Sequence, residues 1–222
     1  MIQVMEIIFD LSYLAIIWYL VFKMRKLTNQ EKNSLAIILI WAFTLLALGD
    51  TAHVGFRVLA YLKGGTAVNS VLLGWGKLAT AITVTGFYAL LVEAWKERFK
   101  KRHTAFSYWL LFLALIRLII IFLPGNNWTS AEVPFNWSIY RNLPLLLLGL
   151  GVAYLFLTSG INKNDPYAKG IGVAILVSYA FYTPVILWAK DLPLLGLLMI
   201  PKTIAYIWAA FITYRAFREN AF

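Results

Sequence analysis

Cysteine is absent from the 222 residues and histidine occurs only twice. The first absence removes disulfides, thiolate metal sites and cysteine nucleophiles together, and carries no information about compartment. The second leaves His53 and His103 as the only imidazoles, one in an apolar run and one in a basic connection. A catalytic zinc site needs three protein ligands and an open position, and no third ligand for the Asp50 and His53 pair is visible on another apolar segment. Charge is scarce as well, at 14% of residues against roughly 25% in an average soluble chain. No polar stretch exceeds roughly 20 residues, well short of an independent soluble domain.

What is present is hydrocarbon. Hydrophobic residues make up 61% of the chain and aromatic residues 16%, and mean hydropathy is +0.74. Apolar windows long enough to cross a bilayer as helices recur along the whole chain. The expected fold class is all-α: a polytopic membrane protein with seven transmembrane helices forming one domain over residues 1–222. The spans fall at about 5–23, 35–62, 69–94, 105–123, 138–158, 169–189 and 193–215. The first is no cleavable leader, since Glu6 and Asp10 precede its apolar core and no basic n-region or small-residue cleavage site is present.

Basic residues orient the chain. Lys23, Arg25, Lys26 and Lys32 follow span 1, the stretch KERFKKRH follows span 3, and Lys163, Lys169, Arg215 and Arg218 share that side. The positive-inside rule puts these connections in the cytoplasm, with the N-terminus outside and the C-terminus inside. The formal net charge of +10 is thereby accounted for by topology. Nucleic-acid binding is not expected, because it needs a basic surface on a water-exposed domain. Lys63 and Lys190 sit at outer helix ends, where long side chains snorkel to water.

The remaining charges are the informative ones. In the run GDTAHVGFR, Asp50, His53 and Arg57 are spaced i, i+3, i+7 and share one helix face. At a rise of about 1.5 Å per residue, Arg57, His53 and Asp50 lie roughly 7, 13 and 18 Å below the outer boundary, Lys77 about 12 Å, Arg117 about 9 Å and Lys202 about 13 Å. The inner halves carry almost no charge. On span 3, Lys77 shares a face with Thr80, Val84 and Phe87; on span 7, Lys202 shares one with Tyr206, Ala209 and Thr213. Charged side chains facing lipid are strongly disfavoured, so these stripes point into the bundle. With Arg141 and Asn142 from SIYRNLP and Tyr182 from SYAFYTPVILW, they outline a polar cavity in the outer half above a dry floor. The candidate ligand-binding residues are therefore Asp50, His53, Arg57, Lys77, Thr80, Arg117, Arg141, Asn142, Tyr182, Lys202 and Tyr206.

Each piece has a plainer reading. Asp50 with a Lys or Arg can be a structural ion pair, His53 a hydrogen-bonded bundle residue, and Thr and Tyr stripes can simply join helices. Trp18, Trp95, Trp128, Trp137 and Trp188 fall near span ends, as interface belts do. The charge count resists these readings: Arg57, Lys77, Arg117 and Lys202 face one deep acid, Asp50, and a shallower one, Asp10. Unpaired buried charge costs several kcal/mol per ion unless water or a counter-ion reaches it. A bound carboxylate or phosphate would supply the counter-charge, held by Arg as a fork and by Lys as a point charge.

LLGWGKLATAITVTGFY in span 3 and LLMIPKTIAYIWAAFITY in span 7 share two Leu, then Gly-Lys or Pro-Lys, then a small-and-aromatic helix. This fits a parallel 3+1+3 duplication, with repeats 1–98 and 138–222 and a linker helix at 105–123. Gly76 and Pro201 are expected to break their helices beside each lysine, and Pro184 to kink span 6. The GDTAH, NW…RNLP and MIPKTIAYIW stretches together resemble a family of uncharacterised bacterial seven-helix membrane proteins over most of the chain. The resemblance implies the seven-helix fold and the bacterial cytoplasmic membrane, and no activity. The architecture is also loosely similar to transporters, opsins and receptors, which assigns no function.

Three classes compete on these residues. The first is binding, for transport, of a small anionic solute or anionic lipid, with Asp50 and His53 as a protonation pair. The second is a receptor-like sensor acting on a cytoplasmic signalling partner; homo-oligomerisation is compatible with either. The third is an intramembrane, lipid-modifying hydrolase, which would need a serine such as Ser70 or Ser178 at His53. No metal and no cofactor is expected; a retinal Schiff base on Lys202 with Asp50 as counter-ion is the remote exception. Asn127 and Asn136 match the glycosylation acceptor pattern. Their loop, PGNNWTSAEVPFNWSIYRN, is placed to serve as a lid.

Overall fold

The computed structural model describes residues 2–28, 33–130, 134–189 and 191–221. Lys32, Lys190 and the lid residues 131–133 fall outside that set, so the expectations that rest on them are not taken further. Seven helices form: α1 Ile2–Thr28, α2 Ser34–Leu62, α3 Ser70–Arg98, α4 Ala105–Phe122, α5 Phe135–Asn162, α6 Pro166–Trp188 and α7 Met199–Arg218. Each belongs to a segment long and apolar enough to cross a membrane, and no strand occurs among the described residues. The chain is an integral membrane protein of all-helical architecture.

Local chemistry explains where the helices start and stop. Asn33 caps α2 by accepting from the Leu35 and Ala36 amides at 3.0 and 3.4 Å. Thr104 and Ser107 form a reciprocal capping box at α4, and Asp165 caps α6 with Pro166 following at the first helical position, where a missing N–H costs nothing. Four helices close with the same 6→1 bond after a residue at positive φ. The pairs are Gly65 to Ala60, Lys101 to Lys96, Asp165 to Gly160 and Ala221 to Ala216, with N···O distances of 2.8–3.0 Å.

The helices pack in sequence order around a ring that α7 closes against α1, while α3 touches α5 and α2 touches α7 across the middle. Residues 63–69, 123–130 and 191–198 gather at the end where α1 begins, which we call the near end. Asn33 and the connections 99–104 and 163–165 gather at the far end with the end of α7. The interior is apolar and close-packed from mid-bundle toward the far end, around Phe43, Phe87, Tyr88, Leu91, Trp95 and Leu148. Outward positions are apolar too: Trp41, Phe112, Tyr154 and Phe211 are all exposed, as expected of helices that meet lipid on one side and protein on the other.

Three expectations need correction. The seventh span is not one helix, because Pro193–Leu198 forms a 3₁₀ segment and α7 begins at Met199. Pro201 thus lies in the first turn of α7, where it interrupts nothing, and α3 runs unbroken through Gly76. Trp95 is no belt residue: it is 2% exposed and donates from Nε1 to Ser159 Oγ at 2.9 Å, joining α3 to α5.

Candidate functional site

One cavity of about 390 Å³ opens in the near half of the ring, and all eleven residues singled out from the sequence line it. The i, i+3, i+7 spacing does bring Asp50, His53 and Arg57 to the same wall. Five cations reach the cavity (Arg57, Lys77, Arg117, Arg141 and Lys202) against two carboxylates, Asp10 and Asp50.

The acids are engaged from α1. Tyr13, 4% exposed, donates its hydroxyl to Asp50 Oδ2 at 2.5 Å. Asp10, one turn earlier, pairs with Arg57 at 3.5 Å. Arg57 also donates from Nη2 to His53 Nε2 at 3.2 Å. A guanidinium has only donors, so Nε2 accepts and the hydrogen of a neutral ring sits on Nδ1. That Nδ1 is buried and has no hydrogen-bond partner among the described residues. The deep acid therefore meets a tyrosine and not the ion pair that the plainer reading of Asp50 anticipates.

The other four cations have no carboxylate within 4.0 Å among the described residues. Arg117 is 2% exposed and is solvated by protein oxygens. Its Nε donates to the Arg141 carbonyl at 2.9 Å and its Nη1 to the Ala81 carbonyl at 2.8 Å and to Thr85 Oγ1. It ties α4 to α3 and α5. Arg141 stacks on the Trp128 ring, 4.5 Å from its centroid, and donates to Asn126 Oδ1 at 3.3 Å. Lys202 stands over the rings of Tyr182 and Tyr206, 4.6 and 5.3 Å from their centroids, a cation–π arrangement. Lys77 is exposed at the cavity and makes no hydrogen bond or ion pair among the described residues.

The floor is aromatic. Tyr206 and Tyr88 share a hydroxyl–hydroxyl bond of 3.1 Å, and Phe87 meets both rings edge-on. Tyr182 donates to Asn142 Oδ1 at 3.2 Å. The roof comes from the connection after α4. Asn126, fully buried, donates its amide to the carbonyls of Ile120, Ile121 and Leu123, and Trp128 Nε1 donates to the Ile121 carbonyl at 2.9 Å. The Trp128 backbone lies so close to Gly74 that a Cβ there would overlap its carbonyl, so α3 seats the roof only because position 74 is glycine.

Some assigned roles change. Thr80 lines the cavity, but its hydroxyl donates to the Gly49 carbonyl at 2.9 Å, so it joins α3 to α2. Gly49 allows that approach, since a Cβ there would overlap the Thr83 hydroxyl. Trp128 is a roof and not a belt residue. Tyr13 escaped the sequence reading, although its three-residue spacing from Asp10 on α1 carries the signal.

The two serines named for a hydrolase lie elsewhere: Ser70 donates to the Thr129 carbonyl at 3.0 Å, and Ser178 lies buried on α6 outside the cavity lining. At the far end, His103 stands between Glu93 Oε1 at 3.1 Å and Ser107 Oγ at 3.3 Å. That serine is fully buried and accepts from the Thr104 amide at 2.8 Å, so it serves as a helix cap. No group of three or more His, Cys, Asp or Glu able to hold a metal occurs among the described residues. Outside the spans, burial works against ionisation of Asp165. Arg98 at 2.7 Å and the Ala168 and Tyr167 amides outweigh it and hold the carboxyl below its ordinary value.

Comparison with known proteins finds no matching family model, curated protein or solved structure.

Proposed function

We propose that this protein binds a small anion, a carboxylate or phosphate compound or an anionic lipid headgroup, in the near-end cavity, and that it does so for transport. The observation that carries the reading is the set of cations without a carboxylate partner among the described residues, in a cavity that two described acids line. Such an excess is costly in a low-dielectric site unless water or an anion compensates it. Lysine and arginine on different helices also form an adaptable cradle, point charges beside a planar fork.

The near end faces the outside in this reading. Lys23, Arg25, Lys26, Lys96, Arg98, Lys100, Lys101 and Arg102 all lie toward or at the far end, which the positive-inside rule assigns to the cytoplasm. A second reading, a sensor that binds without moving its ligand, draws on one observation. The aromatic floor of Phe87, Tyr88 and Tyr206 closes the cavity from the far half, so transport requires these rings to part.

Native mass spectrometry of gently purified protein, with extraction of lipids and small molecules from the same sample, tests the reading. A stoichiometric anionic species that is retained by the native chain and lost in Lys77→Met and Lys202→Met is expected. A bare native protein that no added carboxylate or phosphate stabilises would contradict it.

A further inference from the structure

The charges lining the cavity narrow the ligand further, granted the anion reading above. Five cations face two carboxylates, an excess of three. Arg57 has Asp10. Arg117 has three oxygen acceptors and is almost wholly buried, so protein groups solvate its charge without a counter-ion. Asp50 is the deep acid, and it shares the lower cavity with Lys202 of α7. What remains is Lys77 on α3 and Arg141 on α5, two positive charges that line the cavity together with Arg57 and the Trp128 roof.

Two cations with no carboxylate partner among the described residues call for two negative charges in one place. A monocarboxylate supplies one, and a dicarboxylate separates its two by a carbon chain. A phosphate monoester carries about −1.5 to −2 near neutral pH on a single group with three strong acceptor oxygens, which suits a guanidinium fork and a mobile ammonium together. The cavity also has room for more than an inorganic ion. At about 30 Å³ per water, 390 Å³ holds roughly thirteen waters, space for an organic part of about ten non-hydrogen atoms. Below the two cations, that space is walled by Asp50, Lys202, Tyr182 and Tyr206, groups that hydrogen-bond hydroxyls or amines.

We infer that the cavity takes a phosphate monoester of a small polar compound, its phosphoryl group between Lys77 and Arg141 beneath Trp128 and its organic part directed toward Asp50 and Lys202. The same chemistry is offered by a soluble phosphomonoester and by a lipid whose headgroup is a terminal phosphate.

The test is binding to the full chain in detergent with glycerol 3-phosphate, inorganic phosphate and succinate as probes, and in nanodiscs with and without phosphatidate, read by thermal shift. Glycerol 3-phosphate or phosphatidate is expected to stabilise the protein, and the one that does so names the source. Lys77→Gln and Arg141→Gln should each weaken that binding about tenfold or more, the usual loss for a charge-assisted hydrogen bond. Lys77→Arg, which keeps the cation, should restore most of it and shows that the site is folded. Binding of succinate but of neither phosphomonoester would overturn this inference and leave the anion cavity standing. Equal affinity for inorganic phosphate would overturn the role given to the organic part. Failure of every anion would remove the anion reading itself.

Discussion

Tyr13 and Asp165 show how single polar side chains join helices at the two ends. Tyr13 presents the only hydrogen bond to the Asp50 carboxylate among the described residues. Tyr13→Phe should cost about 1.5–3 kcal/mol, as for a partly buried bond to a charged group, measured as a fall in the unfolding midpoint in detergent; an unchanged midpoint would show that water replaces the hydroxyl. Asp165 links α6 to α3 through Arg98. Its folded value is depressed, so its contribution is complete above the ordinary carboxylate range near about pH 4 and is lost as pH falls through the lower folded value. Asp165→Asn should therefore flatten the acid side of a midpoint-against-pH curve while leaving the slope above neutrality untouched. An unaltered acid slope would move the acid sensitivity elsewhere.

At the scale of elements, the roof and the α2–α3 contact decide whether the cavity exists. Gly74→Val would force the Trp128 backbone off α3 and free the Arg141 guanidinium from its ring. Overpacking of this kind costs about 1–3 kcal/mol, and the expected signature is faster proteolysis near Trp128 before any loss of helix content. Helix existence was legible in the sequence because hydropathy reports the bilayer directly, and the Asp50, His53 and Arg57 face was legible because the helical repeat is fixed. The 3₁₀ segment at Pro193–Leu198 was not, since an apolar run with a proline at its start reads alike as a longer helix. The use of Thr80 on the Gly49 carbonyl was equally hidden: which hydroxyls join helices and which face a ligand depends on packing distances that spacing does not carry. Trp95 misled for the same reason, because proximity to a span end does not say which way a ring turns.

On the scale of the whole molecule, polarity is divided between two ends by a packed apolar middle. The far end carries cations paired with acids or set at helix C-termini, as with Arg215 and Glu219 at 3.1 Å, where they complement the helix dipole. The near end carries its cations around a buried cavity, where five of them face Asp10 and Asp50. The proposed orientation, with the far end in the cytoplasm, can be checked directly. A cysteine placed at Lys63 in this cysteine-free chain should react with a membrane-impermeant maleimide in intact cells, and one placed at Lys163 should not; the reverse result would invert the orientation.

The central claim is that the excess positive charge of the near-end cavity is matched by a bound anion, and an experimental map of the purified protein in nanodiscs tests it most directly. The account predicts density for a non-protein group in contact with Lys77 and Arg141 under Trp128, absent in the Lys77→Gln variant. A cavity occupied by water alone, with Lys202 swung into a direct ion pair with Asp50 and Lys77 extended into solvent, would contradict it.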